Sequence, residues 1–321
     1  MPGQEPAQPE ALAACENNPV DSRSRSGKEV FVNKLMRPIL MGGLLLLTVL
    51  VLPGAVFGQA LPTPGAFVRN LDVRCYRIPN LPAAGVPLQL AHLNPVLVNM
   101  GLPVENVVLG APQDFCVPVF KNTIAPPANV LPFIRFVDWK CYGITGPPLN
   151  LPLMLNQLNP VIANLLGPAT NVIVREPQQL CVPVYKNNAV PPAAVAQLVR
   201  FLDVKCYRVD SQPIPSGLSV TLSHLNPLIT VPPETVGFLA PPHQLCVPVK
   251  KNNLTPPAAV LPIIQFSDVL CYRTSGQPLN LTFNLTHLNP VLAGLPVETV
   301  VTGLPSKFCV PVAKNGNFPP G

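Results

Sequence analysis

Charge is scarce in this sequence. Charged residues make up 11% of 321 positions, against a usual quarter or so. The 21 Lys and Arg and 15 Asp and Glu are scattered singly, leaving a net +6 without a basic block. Nucleic-acid binding needs a concentrated positive footprint, so that function is set aside. There is no Cys-x-x-Cys pair and there are only four histidines, which argues against zinc. No Ser-His-Asp set, no paired carboxylates and no phosphate-cradling glycine loop occur. The chain therefore reads as non-enzymatic, with no cofactor or metal expected.

What is abundant is proline, at 45 residues, roughly three times its ordinary share. With 48% hydrophobic residues and a mean hydropathy of +0.35, this is not a polar disordered tail. One segment is fit to meet a membrane, "ILMGGLLLLTVLVLPGAVF" at 39–57. Lys34 and Arg37 precede it, Pro53 and Gly54 break it, and the small-residue stretch "GQA" follows. These features predict a signal peptide over 36–60; the alternative is an uncleaved anchor, since about 19 apolar residues just span a bilayer. Residues 1–35 read as disordered, or as lying ahead of a true start at Met36, which would leave Cys15 outside the protein.

The rest is one unit written four times. Each copy opens with Asp-x-x-Cys-Tyr: "DVRCY" at Asp72, "DWKCY" at Asp138, "DVKCY" at Asp203 and "DVLCY" at Asp268. A middle phrase follows, "HLNP" at His92, His224 and His287 or "QLNP" at Gln157. Each copy closes on Cys-Val-Pro-Val-x-Lys-Asn and a double proline. The opening cysteines 75, 141, 206 and 271 set a period of 65 or 66. Each closing cysteine stands 25 residues before the next opening one. That invariant junction predicts a set orientation between neighbours. The units run over 66–131, 132–196, 197–261 and 262–321. They fill the expected mature chain and leave no room for a separate catalytic domain.

Within a unit, Leu279, Leu281, Phe283 and Leu285 alternate with polar residues at a period of two, the mark of a half-buried strand. The expectation is an all-β chain: a tandem array of four small disulfide-stapled β-sandwich or open-barrel domains. A unit of this size buries little core and needs a staple, and two cysteines per unit in an exported chain supply one. Closing a loop of some 40 residues contributes roughly 4 kcal/mol. The pairs are Cys75–Cys116, Cys141–Cys181, Cys206–Cys246 and Cys271–Cys309; pairing each closing cysteine with the next opening one would strand Cys75 and Cys309.

Pro118, Pro183, Pro248 and Pro311 interrupt the closing strands, each with a lysine three residues on. Proline cannot donate to a ladder, so the phrase reads as a blunted edge strand. Alternation puts Cys246 and Pro248 on one face and Val247 and Val249 on the other, so either the disulfide is external or the proline marks a bulge.

The repeated polar positions are candidate sites. His92, His224 and His287 are replaced by Gln157 in the second unit, and glutamine is neither a base nor a good metal ligand. A hydrogen bond fixing the turn at Asn94, Asn159, Asn226 and Asn289 accounts for all four. Asp72, Asp138, Asp203 and Asp268 each stand alone, without the ligand set calcium wants, and read as strand-start hydrogen bonds. Tyr76, Tyr142, Tyr207 and Tyr272 are expected beside the disulfides or against the next unit.

Taken together, Cys-Tyr, a short β stretch and the closing phrase, most clearly "LCVPVYKN", resemble an uncharacterised repeat domain of exported bacterial proteins. The resemblance covers all four units; it implies no activity and no site residues. The expectation is an exported protein, secreted or at the cell surface, with a structural or adhesive role. Its partner would be itself, as a polymer, or an envelope component. The alternative is a carbohydrate or small-ligand module with one shallow site per repeat.

Overall fold

The computed structural model describes residues 60–78 and 81–321. The N-terminal extension, the expected signal peptide and Cys15 lie outside the described residues. Unit 1 consists of helical turn α1 (Pro64–Val68), β1 (Val73–Arg77), β2 (Pro87–His92), α2 (Pro95–Asn99), β3 (Glu105–Val108) and β4 (Pro112–Lys121). Unit 2 repeats the plan as α3 (Leu131–Ile134), β5 (Asp138–Gly143), β6 (Leu151–Gln157), α4 (Pro160–Leu166) and β7 (Ala169–Lys186), the last two strands running together. Unit 3 has α5 (Ala193–Val199), β8 (Val204–Ser211), β9 (Ser219–His224) and a similarly long β10 (Glu234–Lys251). Unit 4 has α6 (Leu261–Ile264), β11 (Val269–Thr274), β12 (Thr282–His287), a 3₁₀ turn at Pro290–Leu292, β13 (Glu298–Val301) and β14 (Pro305–Lys314).

The chain is all-β, and each unit carries its disulfide. The cysteines pair 75–116, 141–181, 206–246 and 271–309. In every unit the opening and closing strands are antiparallel with the two cysteines directly opposite. Each closing strand also pairs with the opening strand of the following unit: β4 with β5, β7 with β8, β10 with β11. The same pairing joins the last unit to the first, since β14 pairs with β1. The sheet therefore closes into a barrel in the order β1-β4-β5-β7-β8-β10-β11-β14. Its register slips by two residues at each junction, as where Cys116 faces Trp139 and Asp114 faces Cys141. The other three junctions slip equally, so four slips of two give a stagger of eight around eight strands. Such a barrel is just wide enough to be filled by side chains.

Alternation along the strands sorts the residues. Inside lie Val73, Trp139, Val204 and Val269, two residues before the opening cysteines, and then the eight cysteines themselves, all in one buried cluster. Neighbouring disulfides nearly touch: Sγ–Sγ distances are 3.7 Å for Cys116–Cys141 and Cys181–Cys206 and 3.9 Å for Cys246–Cys271. A helical turn follows each double proline that joins two units. Proline early in the turn presets its φ, and Val130, Phe133, Ile134 and Val137 give a helical apolar stripe that plugs one end of the barrel. At the seam, the Gly65 N–H donates to Pro320 O at 2.7 Å. The C-terminal double proline thus stands where a junction would, and a side chain on Gly65 would press on that carbonyl at 3.0 Å.

The outer face is covered by the middle strands, and these cross the molecule. Strand β2 of unit 1 pairs with the end of β10 in unit 3, and β9 of unit 3 pairs with the end of β4 in unit 1. Units 2 and 4 exchange β6 and β12 in the same way. This overturns the edge-strand reading of the closing phrase. Pro118 faces Val73 on one side; on the other it sits where β5 has ended and β9 begins. Its carbonyl accepts from Leu225 N at 3.0 Å, while the Val119 N–H turns back to Asp72 O. Carbonyl and amide nitrogen of a strand residue point the same way, so the missing donor falls at the handover between two partner strands. Pro183, Pro248 and Pro311 accept from Leu288, Leu93 and Leu158 likewise. No bulge is needed, because both faces are buried: Cys and Pro face the barrel interior, the valines the hairpins.

The closing asparagine completes the phrase. Asn122, Asn187, Asn252 and Asn315 have φ between 46° and 49°, a left-handed conformation that asparagine tolerates. Each bonds the opposite unit's middle strand by backbone and side chain, as Asn252 does with Gln89 at 2.8 and 2.9 Å.

Ring closure predicts that the chain tolerates relocation of its ends. A circular permutant cut at the exposed Ala128–Asn129 bond, with Gly321 joined to Leu61 by a short linker, is expected to form the same four disulfides, read by peptide mapping, and to unfold in one transition. Scrambled pairing, or four independent transitions, would refute a closed barrel.

Candidate ligand site at the barrel mouth

The repeated polar residues meet in four equivalent nodes. Asp72, Asp138, Asp203 and Asp268 stand at the starts of the opening strands and form buried ion pairs with Lys121, Lys186, Lys251 and Lys314 of their own closing phrases. These lysines are at most 2% exposed, so they lock the strand end and do not guard an edge. Burial raises the aspartate pKa values, against the lowering pull of each lysine, and Asp268 reaches about 6. The Leu-Asn-Pro asparagine of the following unit completes three of the nodes. Asn94 donates to Asp268 at 2.6 Å, Asn289 to Asp203 at 2.8 Å and Asn226 to Asp138 at 3.4 Å. Asn159 reaches the Arg69 carbonyl instead. The amide oxygens accept from the N–H two residues on, capping the proline-started turns, as N-cap asparagines do.

The tyrosines do not lie beside the disulfides; alternation turns them to the other face. Their hydroxyls meet the middle-phrase residue of the diagonal unit: Tyr76 with His224, Tyr142 with His287, Tyr207 with His92, and Tyr272 with Gln157, at 2.8–3.1 Å. The expected histidine hydrogen bond exists, but it ties opposite units together, and the asparagine fixes the turn. A second diagonal contact runs beside it. Arg74, Lys140 and Lys205 pair with Glu234, Glu298 and Glu105. In the remaining diagonal, Leu270 replaces the cation and Thr170, opposite Leu155 in the hairpin, replaces the glutamate. Both partners are lost together, so no buried charge is orphaned.

One polar constellation breaks the fourfold likeness. Two residues before the closing cysteines, facing inward, stand Asp114, Gln179, Gln244 and Lys307, all buried. They form one network. Gln179 donates to Asp114 at 2.8 Å; Lys307 donates to Gln179 and, at 2.6 Å, to Gln244, and lies 3.4 Å from Asp114. Burial would raise the Asp114 pKa, but Lys307, the Gln179 amide, Arg77 and the Ser306 hydroxyl hold it below the usual range. Above this floor, at the end away from the helical plug, opens a cavity of about 370 Å³ walled by Gln113, Gln178, His243 and Ser306 with Arg77 and Arg273 at the rim. Burial and then the Lys307 and Arg273 charges push His243 down to about 4, so its ring is neutral. Three cations against Asp114 leave the mouth with a net charge of +2 in a chain otherwise poor in charge.

A larger depression, about 440 Å³, lies on the outer face of the β6–β7 hairpin, where Asp210 is its one charged residue. The mouth has the convergent polar groups that mark a ligand site. Among the described residues no three His, Cys, Asp or Glu side chains converge on a metal position. Comparison with protein-family models, with curated proteins and with solved structures finds no significant match.

Sequence reasoning missed the mouth. The signal was available as Asp-Phe-Cys, Gln-Leu-Cys, Gln-Leu-Cys and Lys-Phe-Cys: a polar residue in every copy of an otherwise apolar strand, of three different kinds over the four copies.

Two predictions follow from the nodes. Lys251→Met should destabilise the fold by about 3–5 kcal/mol by leaving Asp203 buried and unpaired, and adding Asp203→Asn should recover part of the loss. Denaturant melts of both variants check this; no recovery refutes it. The second concerns acid. His92, His224 and His287 are held near 3, 4 and 3, chiefly by burial. Their folded values lie below the ordinary 6.5 of histidine, so their contribution is complete above pH 6.5 and is lost as pH falls toward 4. The loss is about 2 kcal/mol per histidine at pH 5. Asp268, raised to about 6, works in the opposite sense between pH 4 and 6, as do Asp72, Asp138 and Asp203, also raised by burial, while His243, held near 4, adds to the fall. Replacing all three histidines by Gln, as at Gln157, should keep the tyrosine bonds and flatten the fall in Tm between pH 7 and pH 5. Identical pH profiles would refute it.

Proposed function

We propose that this is an exported, non-enzymatic recognition protein with an adhesive or structural role at the cell surface or in an extracellular assembly, and that it meets its ligand at the barrel mouth. Four disulfides belong to an oxidising, extracytoplasmic compartment. No described helix is long and apolar enough to cross a membrane. The observation that carries the reading is the departure from fourfold likeness at the mouth. Every other inward layer repeats one residue type or an apolar one, whereas here an acid, two amides and a base line a single open cavity. In this reading each chain holds one ligand, on its axis, and repetition supplies a rigid rim.

A second reading is favoured by the hairpin edges. β3 and β13 each pair on one side only, and Val108 and Val301 are 58% and 55% exposed there. Such edges invite strand addition, and self-assembly through them would make the protein a polymer.

The two readings separate on the oxidised chain from Leu61 to Gly321. Nuclear magnetic resonance with a panel of soluble sugars and small acids should shift the side-chain amides of Gln113, Gln178, Gln179 and Gln244 while light scattering stays constant over a hundredfold concentration range. Concentration-dependent polymers abolished by Val108→Lys/Val301→Lys, with silent mouth amides, would overturn the recognition reading.

A further inference from the structure

Resting on the reading of the mouth as a binding site, we infer that it takes the acidic terminal residue of a hydroxyl-rich chain, a hexuronate-type sugar entering end-on. The charges on the floor are already matched. Lys307 is surrounded by Asp114, Gln179 and Gln244, so the floor offers no free charge to a ligand. The rim is different. Arg77 is 60% exposed, with Asp114 3.6 Å away behind it, and exposed Arg273 has no ion-pair partner among the described residues. Two guanidinium groups on one rim suit a carboxylate, which each binds through paired N–H donors.

The walls suit something other than charge. Gln113, Gln178, His243 and Ser306 present neutral donors and acceptors, and His243 Nδ1 is buried without a hydrogen-bond partner. Amide, imidazole and hydroxyl groups match sugar hydroxyls, which both give and take hydrogen bonds. A bare inorganic anion would use the rim and leave these groups idle. A neutral sugar would leave the rim unmatched. Depth decides the mode of entry: the cysteine layer lies directly beneath the polar floor, so the cavity has no second opening along the axis for a chain to thread. Only an end enters.

The test uses the oxidised chain and three probes: glucuronate, glucose and acetate, each titrated calorimetrically and against the mouth amide resonances. Glucuronate is expected to bind one per chain, at least tenfold tighter than either of the others. The Arg77→Ala/Arg273→Ala variant should fold with the same four disulfides, Asp114 keeping Lys307 as its partner, and lose tenfold or more of that affinity. Arg273→Ala alone, at a position with no ion-pair partner among the described residues, should keep the wild-type melt and lose part of the affinity. Equal binding of glucose and glucuronate would overturn the acidic half of the inference, and equal binding of acetate the sugar half; in both cases the mouth survives as a site. No response to any probe at tens of millimolar, with another class of ligand shifting the mouth amides, would overturn the inference alone. No ligand of any class at the mouth would remove the reading beneath it.

Discussion

The pairing of β1 with β14 is the contact on which the rest depends. Until it forms, the opening strand of the first unit and the closing strand of the last are bare edges, and the interior has no inside. Once formed, it abolishes the edges of the central sheet and defines an enclosed column: helical plug, apolar layer, disulfide layer, polar floor and mouth. It also sets the diagonal. Only in a closed ring of four does each unit face the one two places away, which is where the middle strands dock.

Closure by four near-identical units raises a problem of register, which the buried charges address. The backbone alone does not tell β5 from β8 or β11. Each Asp–Lys pair ties a closing strand to its own opening strand, and in three of the four an asparagine ties the next unit to it. Buried ion pairs contribute little net stability but penalise misplacement, because a wrong register strands a charge. The diagonal that uses Leu270 and Thr170, with Gln157 for histidine, shows that complementarity matters here and charge itself does not. Scarcity of charge and burial of charge are thus one fact. Much of the little charge present is spent inside on alignment, which leaves Arg77 and Arg273 conspicuous at the rim.

Much of this was legible in the residues. The repeat, the β class, the disulfide pairs and the fixed junctions follow from spacing, because cysteine and alternation report local chemistry. The meaning of the proline was not legible. Pro118 forbids one hydrogen bond, and an edge strand and a partner handover forbid the same one; only the arrival of β9 distinguishes them. The lysines of the closing phrase failed for a related reason. Lys251 looks like a surface guard unless Asp203, 48 positions earlier, is known to lie beside it. The mouth escaped because its four residues lie in four different units, and no local pattern joins them.

The diagonal strand exchange has a consequence for how the chain is made. His92 pairs with Val249, 157 positions further on, and Val73 with Cys309 near the other end. Contacts of such span fold slowly, because the chain between them must be ordered before they form. A chain leaving a ribosome or a translocation pore can close its first disulfide early, since that loop is local. It cannot seat its first hairpin until the third unit has emerged, nor close its barrel until the last strand is out. Every nascent intermediate therefore shows unpaired strands and apolar hairpin faces to its surroundings. Biogenesis, more than the finished barrel, is the vulnerable stage of this molecule, and the compartment that receives it must hold the whole chain before any of it is complete.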